Sequence, residues 1–513
     1  MGLFNRKNTK SAPESVSKDI KTREKNEEKQ REALMYAKKF AAKSIQQTIH
    51  DPTGKTSRRT NRSYTTYDKE TLENYLNSPT SNEKNLRDAS IALYQTNRRY
   101  SSLLDYYANI PCWLYMVDAV NYNPDKVNRD SFKKQYYKVM NVLETMDVAK
   151  TMREVTLVAL REGVYYGVKW GSEGQSFLLQ KLDPDNCQIV GLGDGGIFQF
   201  AYDMSKVNEK DLETHYPPEF KDMWSEYQRT KNQYQVVPPN VSVCLKADPT
   251  IPGYSIPPFA AILPELYTIK NMQDLFETAT ELSNYKMLSG VIPVDDDGVP
   301  LIDYETVMQY YQHTASNVGD RVGVAFTPFK LESHDFEQSG ASTQIDTVSR
   351  ATENFFASAG TSAALHGAGS DTSGVVKLAV KIDEAYSFGL MYQCAKVVNR
   401  FLKLMTGTQK FKIAFLPVSI FNRDDMISKY KEALNFGIAK IPYLVSLGIS
   451  QHDILNISYI ENDVLNINTA FTPMKTASTQ SSSDGSAGRP LMDDIDLTED
   501  GASTRASDSN DNR

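Results

Sequence analysis

From Val375 to Met405 the chain sets apolar residues on almost every side of one helix. They are Leu378, Val380, Ile382, Phe388, Leu390, Val397, Val398, Phe401 and Leu404. A helix with no continuous polar face must be covered on several sides, within a large domain or between subunits. The run still falls short of the roughly 18 unbroken apolar residues that a bilayer span requires, as does every other run in the chain. With 513 residues, 40% of them hydrophobic, there is enough sequence for several domains of about 100–200 residues each.

The long helix is preceded by "GTSAALHGAGSDTSGVVK" (360–377), a glycine-rich stretch between two helical patterns. Gly369-x-x-x-x-Gly374 copies the first half of a phosphate-binding P-loop. The motif then needs Lys-Ser/Thr for the phosphates and Mg²⁺, and Val375-Val376-Lys377 stands there instead. Lys377, three residues along a helix, would point from a different place. No apolar strand ending in Asp supplies the second half of an ATPase site.

Charge is unevenly spread around a net −7. Residues 1–66 form a basic arm and 469–513 an acidic, Ser-rich tail; both are polar and poor in aromatics and are expected to be disordered when free. The acidic balance argues against a large nucleic-acid-gripping surface. "MGLFNRKNTKSAPESVSKDI" has no hydrophobic signal core, so secretion by that route is not expected, and Lys7 and Asn8 do not complete a myristoylation pattern after the Met-Gly start. Cys112, Cys187, Cys244 and Cys394 are widely spaced and read as free, mostly buried thiols of a reducing compartment.

Ordered sequence is expected from about Tyr67. Leu86–Ala108 has a helical stripe (Ile91, Tyr94, Leu103, Leu104, Tyr107) closed by Pro111. Further helices are expected over Ser131–Leu143 and Val148–Glu162. The period then shortens: "GVYYGVKWG", "SFLLQKLDP" and "CQIVGLGDGGIFQFAYDM" read as a strand meander. Gly191-x-Gly193-x-x-Gly196 matches a dinucleotide fingerprint on paper. A strand pattern follows where that site needs a helix, so a hairpin turn at Gly193-Asp194-Gly195 is expected. A long helix spans Pro258–Met287, and "DRVGVAFTPFKLESHDF" holds a strand or two. Asp295, Asp296 and Asp297 lack the alternate acid spacing and terminal Glu of an EF-hand and read as a solvated turn. A last helix before the loop starts near Thr343, where Thr343 and Asp346 can pair as a cap, and stops at Gly360.

Catalytic chemistry is not legible. The six histidines (His50, His215, His313, His334, His366, His452) form no HxH or HxxxH pair, and there is no GxSxG elbow or kinase set. No enzyme activity, cofactor or metal is therefore expected. Tyr430–Leu455 has the outline of a DNA-reading helix-turn-helix. Its second helix offers Gln451 and His452 but no Arg or Lys, so a helical packing unit is the better reading.

The order of these features carries a resemblance. "YQTNRRYSSLLDYYANIPCW" resembles an early helix of tailed-bacteriophage portal proteins. "LQKLDPDNCQIVGLGDGGIFQFAYDMS" with "YPPEFKDMWSEYQ" looks like their wing meander. "ENFFASAGTSAALHGAGSDTSGVVKLAVKIDEAYSFGLMYQCAKVVNRFL" is similar to their stem end, tunnel loop and long wing helix, and the tail "TQSSSDGSAGRP" fits. The resemblance covers roughly 85–490.

The resemblance implies an α+β, mainly α portal fold: a wing over 67–257, stem helices at 258–289 and 341–358 with a clip at 290–340 between them, a channel loop at 359–374, a long wing helix at 375–408 and a helical crown at 409–468. It further implies a dodecameric ring at one capsid vertex of a virion, assembled in the host bacterial cytoplasm, through which double-stranded DNA passes in packaging and ejection. Implied partners are the terminase large subunit, the head–tail adaptor, and the major capsid and scaffolding proteins, with no membrane. Candidate channel residues are His366, Gly367, Gly369, Ser370, Asp371, Thr372 and Lys377, each also readable as an ordinary surface-loop residue. Candidate clip docking residues are Asp295, Asp296, Asp297, Arg321 and Lys330. Two features agree with the resemblance: a conduit wall without many lysines lets DNA slide, and a ring of head-to-tail interfaces would cover a helix that is apolar all round. The alternative is a DNA-binding factor using the basic arm and the 430–455 helices.

Overall fold

The computed structural model describes residues 67–467, apart from 121–127, 172–173, 213–214, 252, 284–285, 294, 296–300, 318–321, 328–340, 407–409 and 438–439. The basic arm, the acidic tail, the side chains of Thr343 and Asp346, and Asp296, Asp297, Arg321 and Lys330 lie outside the described residues. The chain divides into two compact units, Met1–His452 and Asp453–Arg513. Of the second, residues 453–467 are described, continuing the helix Gln451–Tyr459 into a π-helical turn at Ile460–Val464. The fold is α+β and mainly α.

Three helices open the described part of the first unit: α1 (Lys69–Asn77), α2 (Glu83–Thr96) and α3 (Arg98–Asn109). The stripe over 86–108 predicted one helix, and the structure breaks it at Asn97. Asn97 sits in extended backbone, and its side-chain oxygen accepts from the amides of Arg99 and Tyr100 at 3.0 and 3.3 Å. It thereby satisfies donors that a helix start leaves orphaned. An Asn97→Ala variant is expected to lose about 1 kcal/mol in urea-midpoint measurements.

Strand β1 (Tyr115–Ala119) follows, then α4 (Arg129–Met146) and α5 (Val148–Glu162). The α5 range coincides with the periodicity reading. Gly163 ends it with φ +84°, and a Cβ there would lie 2.6 Å from the carbonyl carbon of Ile256. Only glycine combines that left-handed turn with so close a backbone approach.

The meander appears as β2 (Val164–Trp170), β3 (Leu178–Lys181), β4 (Cys187–Leu192) and β5 (Phe198–Asp203). After α6 (Glu219–Thr230) come β6 (Tyr234–Val236) and β7 (Ser242–Lys246). Two antiparallel sheets result, ordered β3-β2-β7 and β4-β5-β6. The Gly191–Gly196 segment is a hairpin connection: the Gly193 amide donates to Ile197 O at 2.8 Å, and Gly195 and Gly196 take φ of +76° and +72°. Phe200, Tyr166, Val164 and Phe220 form the core of this region.

A helix α7 (Leu263–Ser283) is followed by β8 (Lys286–Val291), α8 (Tyr304–Asn317), β9 (Val322–Thr327) and α9 (Ala341–Ser358). The expectation of helix through Met287 fails here, because "KMLSGV" pairs in parallel with "VGVAFT". A parallel pair needs a crossover, and α8 lies in it. Its start is capped by Asp303, whose carboxylate accepts from the Thr306 amide and hydroxyl. Helices α7 and α9 pack on each other, and Leu263, Leu266 and Ile269 share a core with Phe355 and Phe356.

The long helix is α10 (Ser373–Thr406), 34 residues. Strand β10 (Phe411–Phe415) then pairs antiparallel with β1, so the segment after 409 is not helical throughout as expected. Helices α11 (Arg423–Asn435), α12 (Lys440–Ser446) and α13 (Gln451–Tyr459) close the described chain. The C-terminal half of α10 lies against α5, β7 and β10, burying Met391, Val397, Val398 and Phe401. Its N-terminal half departs from the expectation of burial. Val375, Leu378 and Ile382 are 55%, 63% and 62% exposed, because none of the described residues packs on that side.

Candidate functional site

The stretch 359–374 is built between α9 and α10. Gly360 (φ +82°) stops α9, and the Thr361 amide bonds back to Phe356 O at 3.1 Å. Ala363–His366 makes a 3₁₀ turn that Gly367 ends with φ +75°, and the Ala368 amide donates to Ala363 O at 3.0 Å. A 3₁₀ turn stands where a P-loop has its strand. Together with the missing Lys-Ser/Thr pair, this leaves no phosphate cradle.

A buried carboxylate fastens the start of this loop. Asp383, on α10 and 2% exposed, receives hydroxyl hydrogen bonds from Tyr106 (2.8 Å), Tyr107 (3.0 Å) and Thr361 (2.8 Å). Three elements (α3, the loop and α10) thus meet on one side chain. Burial pushes the Asp383 carboxyl above the usual range, and the hydroxyl donors pull it back part of the way. For Tyr106 and Tyr107, burial and then the Asp383 charge raise the phenols well above their ordinary value, so both stay protonated as donors.

His366 turns into the subunit. Its ring stacks on Phe356 with centroids 4.2 Å apart and planes 2° from parallel, and meets Tyr106 edge-on at 5.0 Å. Its Nε2 is buried without a hydrogen-bond partner, and burial lowers its pKa to about 4. The ring is therefore neutral at pH 7. Gly367, Gly369, Ser370, Asp371 and Thr372 are exposed and lie between it and the start of α10. Ser362 donates its hydroxyl to Asp371. Lys377 is exposed in the first turns of α10, apart from that group, and Asp295 is exposed in the connection after β8. Sequence reasoning picked out the loop but missed Asp383, Tyr106 and Tyr107. Tyr107 on a helix stripe reads as core, and nothing local marks Tyr106 or Asp383; only their approach in space gives them a role.

The other elements offer no competing chemistry among the described residues. A cleft of about 410 Å³ is walled by Pro249, Pro257, Pro258 and Tyr386, with Lys246 and Asp248 beside it. The Lys246 ammonium and Tyr386 hydroxyl are sealed from solvent, so neither is presented to a ligand. No group of three or more His, Cys, Asp or Glu side chains could hold a metal among the described residues. Cys244 and Cys394 are buried, and Cys112 and Cys187 half-buried, all as free thiols. Gln451 is 3% exposed and its Oε1 accepts from the Val117 amide at 2.7 Å, while His452 Nε2 lies 3.2 Å from Asn141. The two polar side chains that the second helix of the helix-turn-helix outline offers are thus hydrogen-bonded within the subunit. None of the described helices is long and apolar enough to cross a membrane.

No protein-family model and no curated protein matches the chain. Among solved structures it is similar to a chain of the neck of an empty GTA particle, at 14% identity and a TM-score of 0.42, over 70% of this chain and 93% of that one. It is also similar to a chain of the virion of a native gene transfer agent particle, at 14% identity and a TM-score of 0.38, over 72% and 93% of the two chains.

Proposed function

We propose that this chain is the portal subunit of a tailed-phage-like particle. It assembles as a ring at one capsid vertex, conducts double-stranded DNA in packaging and ejection, and docks a terminase and a head–tail adaptor. The motor ATPase is then a separate protein. The observation that carries this reading is the exposed stripe Val375–Leu378–Ile382 on α10, directly beyond the glycine-rich loop. Residues at i, i+3 and i+7 share one helix face, and a bare apolar face of this kind is a subunit contact in waiting. Neighbouring copies repeated head-to-tail would cover it and close a ring. The packed pair α7/α9 supports the same reading: they flank the β8–α8–β9 insert, the place that a stem and a docking clip would take. The loop would then sit where successive copies approach the ring axis.

Electron microscopy of the purified particle tests the proposal, with a ring around a central hole expected. A Leu378→Glu/Ile382→Glu variant should shift the ring to monomer by tenfold or more in light scattering while keeping its helical content. Rings that persist unchanged in that variant, or a wild-type chain that stays monomeric alone and with its virion proteins, would count decisively against it.

A further inference from the structure

Between α2, the end of α5 and the turn after β3 lies a polar cleft of about 260 Å³. Its charged lining is mostly acidic: Asp88, Glu162, Asp183 and Asp185 stand against Arg87 and Lys181. Asp185 is held by Arg87 at 2.9 Å and by Lys84. Glu162, the last residue of α5, is 1% exposed, and its two oxygens are used unequally. Arg161 and Lys181 both bond Oε1, at 2.6 and 2.5 Å, while Oε2 is buried without a hydrogen-bond partner. A buried carboxylate oxygen with no donor carries a desolvation cost that nothing offsets. Lys181, which bonds Glu162 and lines the cleft, is itself exposed. A second cation can therefore reach Glu162 by moving that one side chain aside.

We infer that this cleft is a guanidinium site, and that its occupant is an arginine of the chain's own basic arm, from Arg58, Arg59 or Arg62. A guanidinium offers several N–H donors in one plane and pairs with a carboxylate through two of them. It supplies Oε2 with its missing donor and meets the acidic rim at Asp88 and Asp183 at the same time. Because it enters as Lys181 leaves, the cleft exchanges one cation for another. The arm joins the fold on the helix that walls the cleft. Tyr67, the first described residue, packs on the core that holds Ala89 and Leu93 of α2, and Arg87 and Asp88 of that helix line the cleft. Arg62 and Arg58 stand five and nine residues before Tyr67. They reach roughly 17 and 30 Å when extended, and α2 is about 21 Å long. So short a tether gives a high effective concentration, which lets one ion pair hold the arm. An intrachain contact of this kind is independent of the portal reading.

The test is limited trypsin digestion of the full chain. A docked arginine cannot enter the protease, so cleavage after at least one of Arg58, Arg59 and Arg62 should run about tenfold slower than after Lys43 and Lys55 of the same arm. Glu162→Gln and Asp88→Lys should each raise that cleavage to the rate at Lys55. The second variant sets a cation in the cleft from its half-buried rim, and it serves if the first fails to fold. Methylguanidinium should also release the arm in wild type, where sodium chloride of equal ionic strength does not. Equal cleavage along the wild-type arm would overturn the inference, as would protection that survives both variants. Protection that fades on dilution would give the arginine to a second copy and overturn it too. So would methylguanidinium that raises the urea midpoint of a chain whose arm is unprotected, since the site would then take a free cation.

Discussion

Asp383→Leu should destabilise the chain by about 3–5 kcal/mol, read as a lowered urea midpoint with unchanged slope. The carboxylate accepts three hydroxyls in a site shut off from water. Leucine matches its shape but accepts nothing, so Tyr106, Tyr107 and Thr361 would each keep a buried hydroxyl without its acceptor. Each such orphan costs about 1–3 kcal/mol, and partial rearrangement keeps the sum below the maximum. Asp383→Asn retains one acceptor oxygen and should lose only about 1–2 kcal/mol. A Tyr106→Phe/Asp383→Leu double variant should lose less than the two single losses added, because they share a bond. Strict additivity would mean that Asp383 acts by something other than collecting hydroxyls.

The second large effect is on pH. His366 has its pKa lowered from 6.5 to about 4 by burial, so the folded chain resists a proton that the unfolded chain accepts. Stability from this residue is complete above pH 6.5 and declines as pH falls from 6.5 towards 4. Because the ring is only half-buried, solvent screening reduces the loss to about 1–2 kcal/mol. Asp383 works in the opposite sense. Its raised pKa means that the folded chain takes a proton before the unfolded one does, so acidification into the range just above the ordinary carboxylate value restores part of the loss. His366→Phe keeps the stack on Phe356 and removes the titrating group. Urea midpoints of that variant should be flat between pH 6.5 and 5 where wild type slopes downward. A parallel slope in both would assign the pH dependence elsewhere.

How much of this could be read from sequence depends on how local each cause is. Helix Val148–Glu162 was legible to the residue because an amphipathic stripe and a terminal glycine are both local. The hairpin at Gly193–Gly195 was legible because a strand pattern follows it. Asn97 was missed because the apolar stripe runs on through it; its side chain turns a continuous pattern into two helices by bonding the next amides. Lys286 and Met287 were read as the end of the long helix because its stripe runs on towards them, and the parallel partner of Lys286–Val291 lies beyond a whole helix. "FKIAF" alternates as a strand should, but its partner is Tyr115–Ala119, far back in the chain. At the loop, glycine spacing disclosed a bend. The inward turn of His366 and the collecting role of Asp383 depend on α3, which no spacing near residue 366 reveals.

The pairing of β1 with β10 has a consequence for how the subunit is made. Tyr115 finds Phe415 about 300 residues later, which at ribosomal rates of about 5–20 residues per second is a wait of roughly 15–60 s. Until then, the backbone groups of Tyr115–Ala119 that β10 will pair stay open, the kind of open edge on which chains aggregate. A chain released before Phe411 can never close that sheet, and α10 would lack the strand that braces its C-terminal half. Arrival of β10 is thereby written into the tertiary structure: copies truncated before Phe411 cannot close the β1–β10 sheet, and so are barred from any assembly that admits only subunits with that sheet closed.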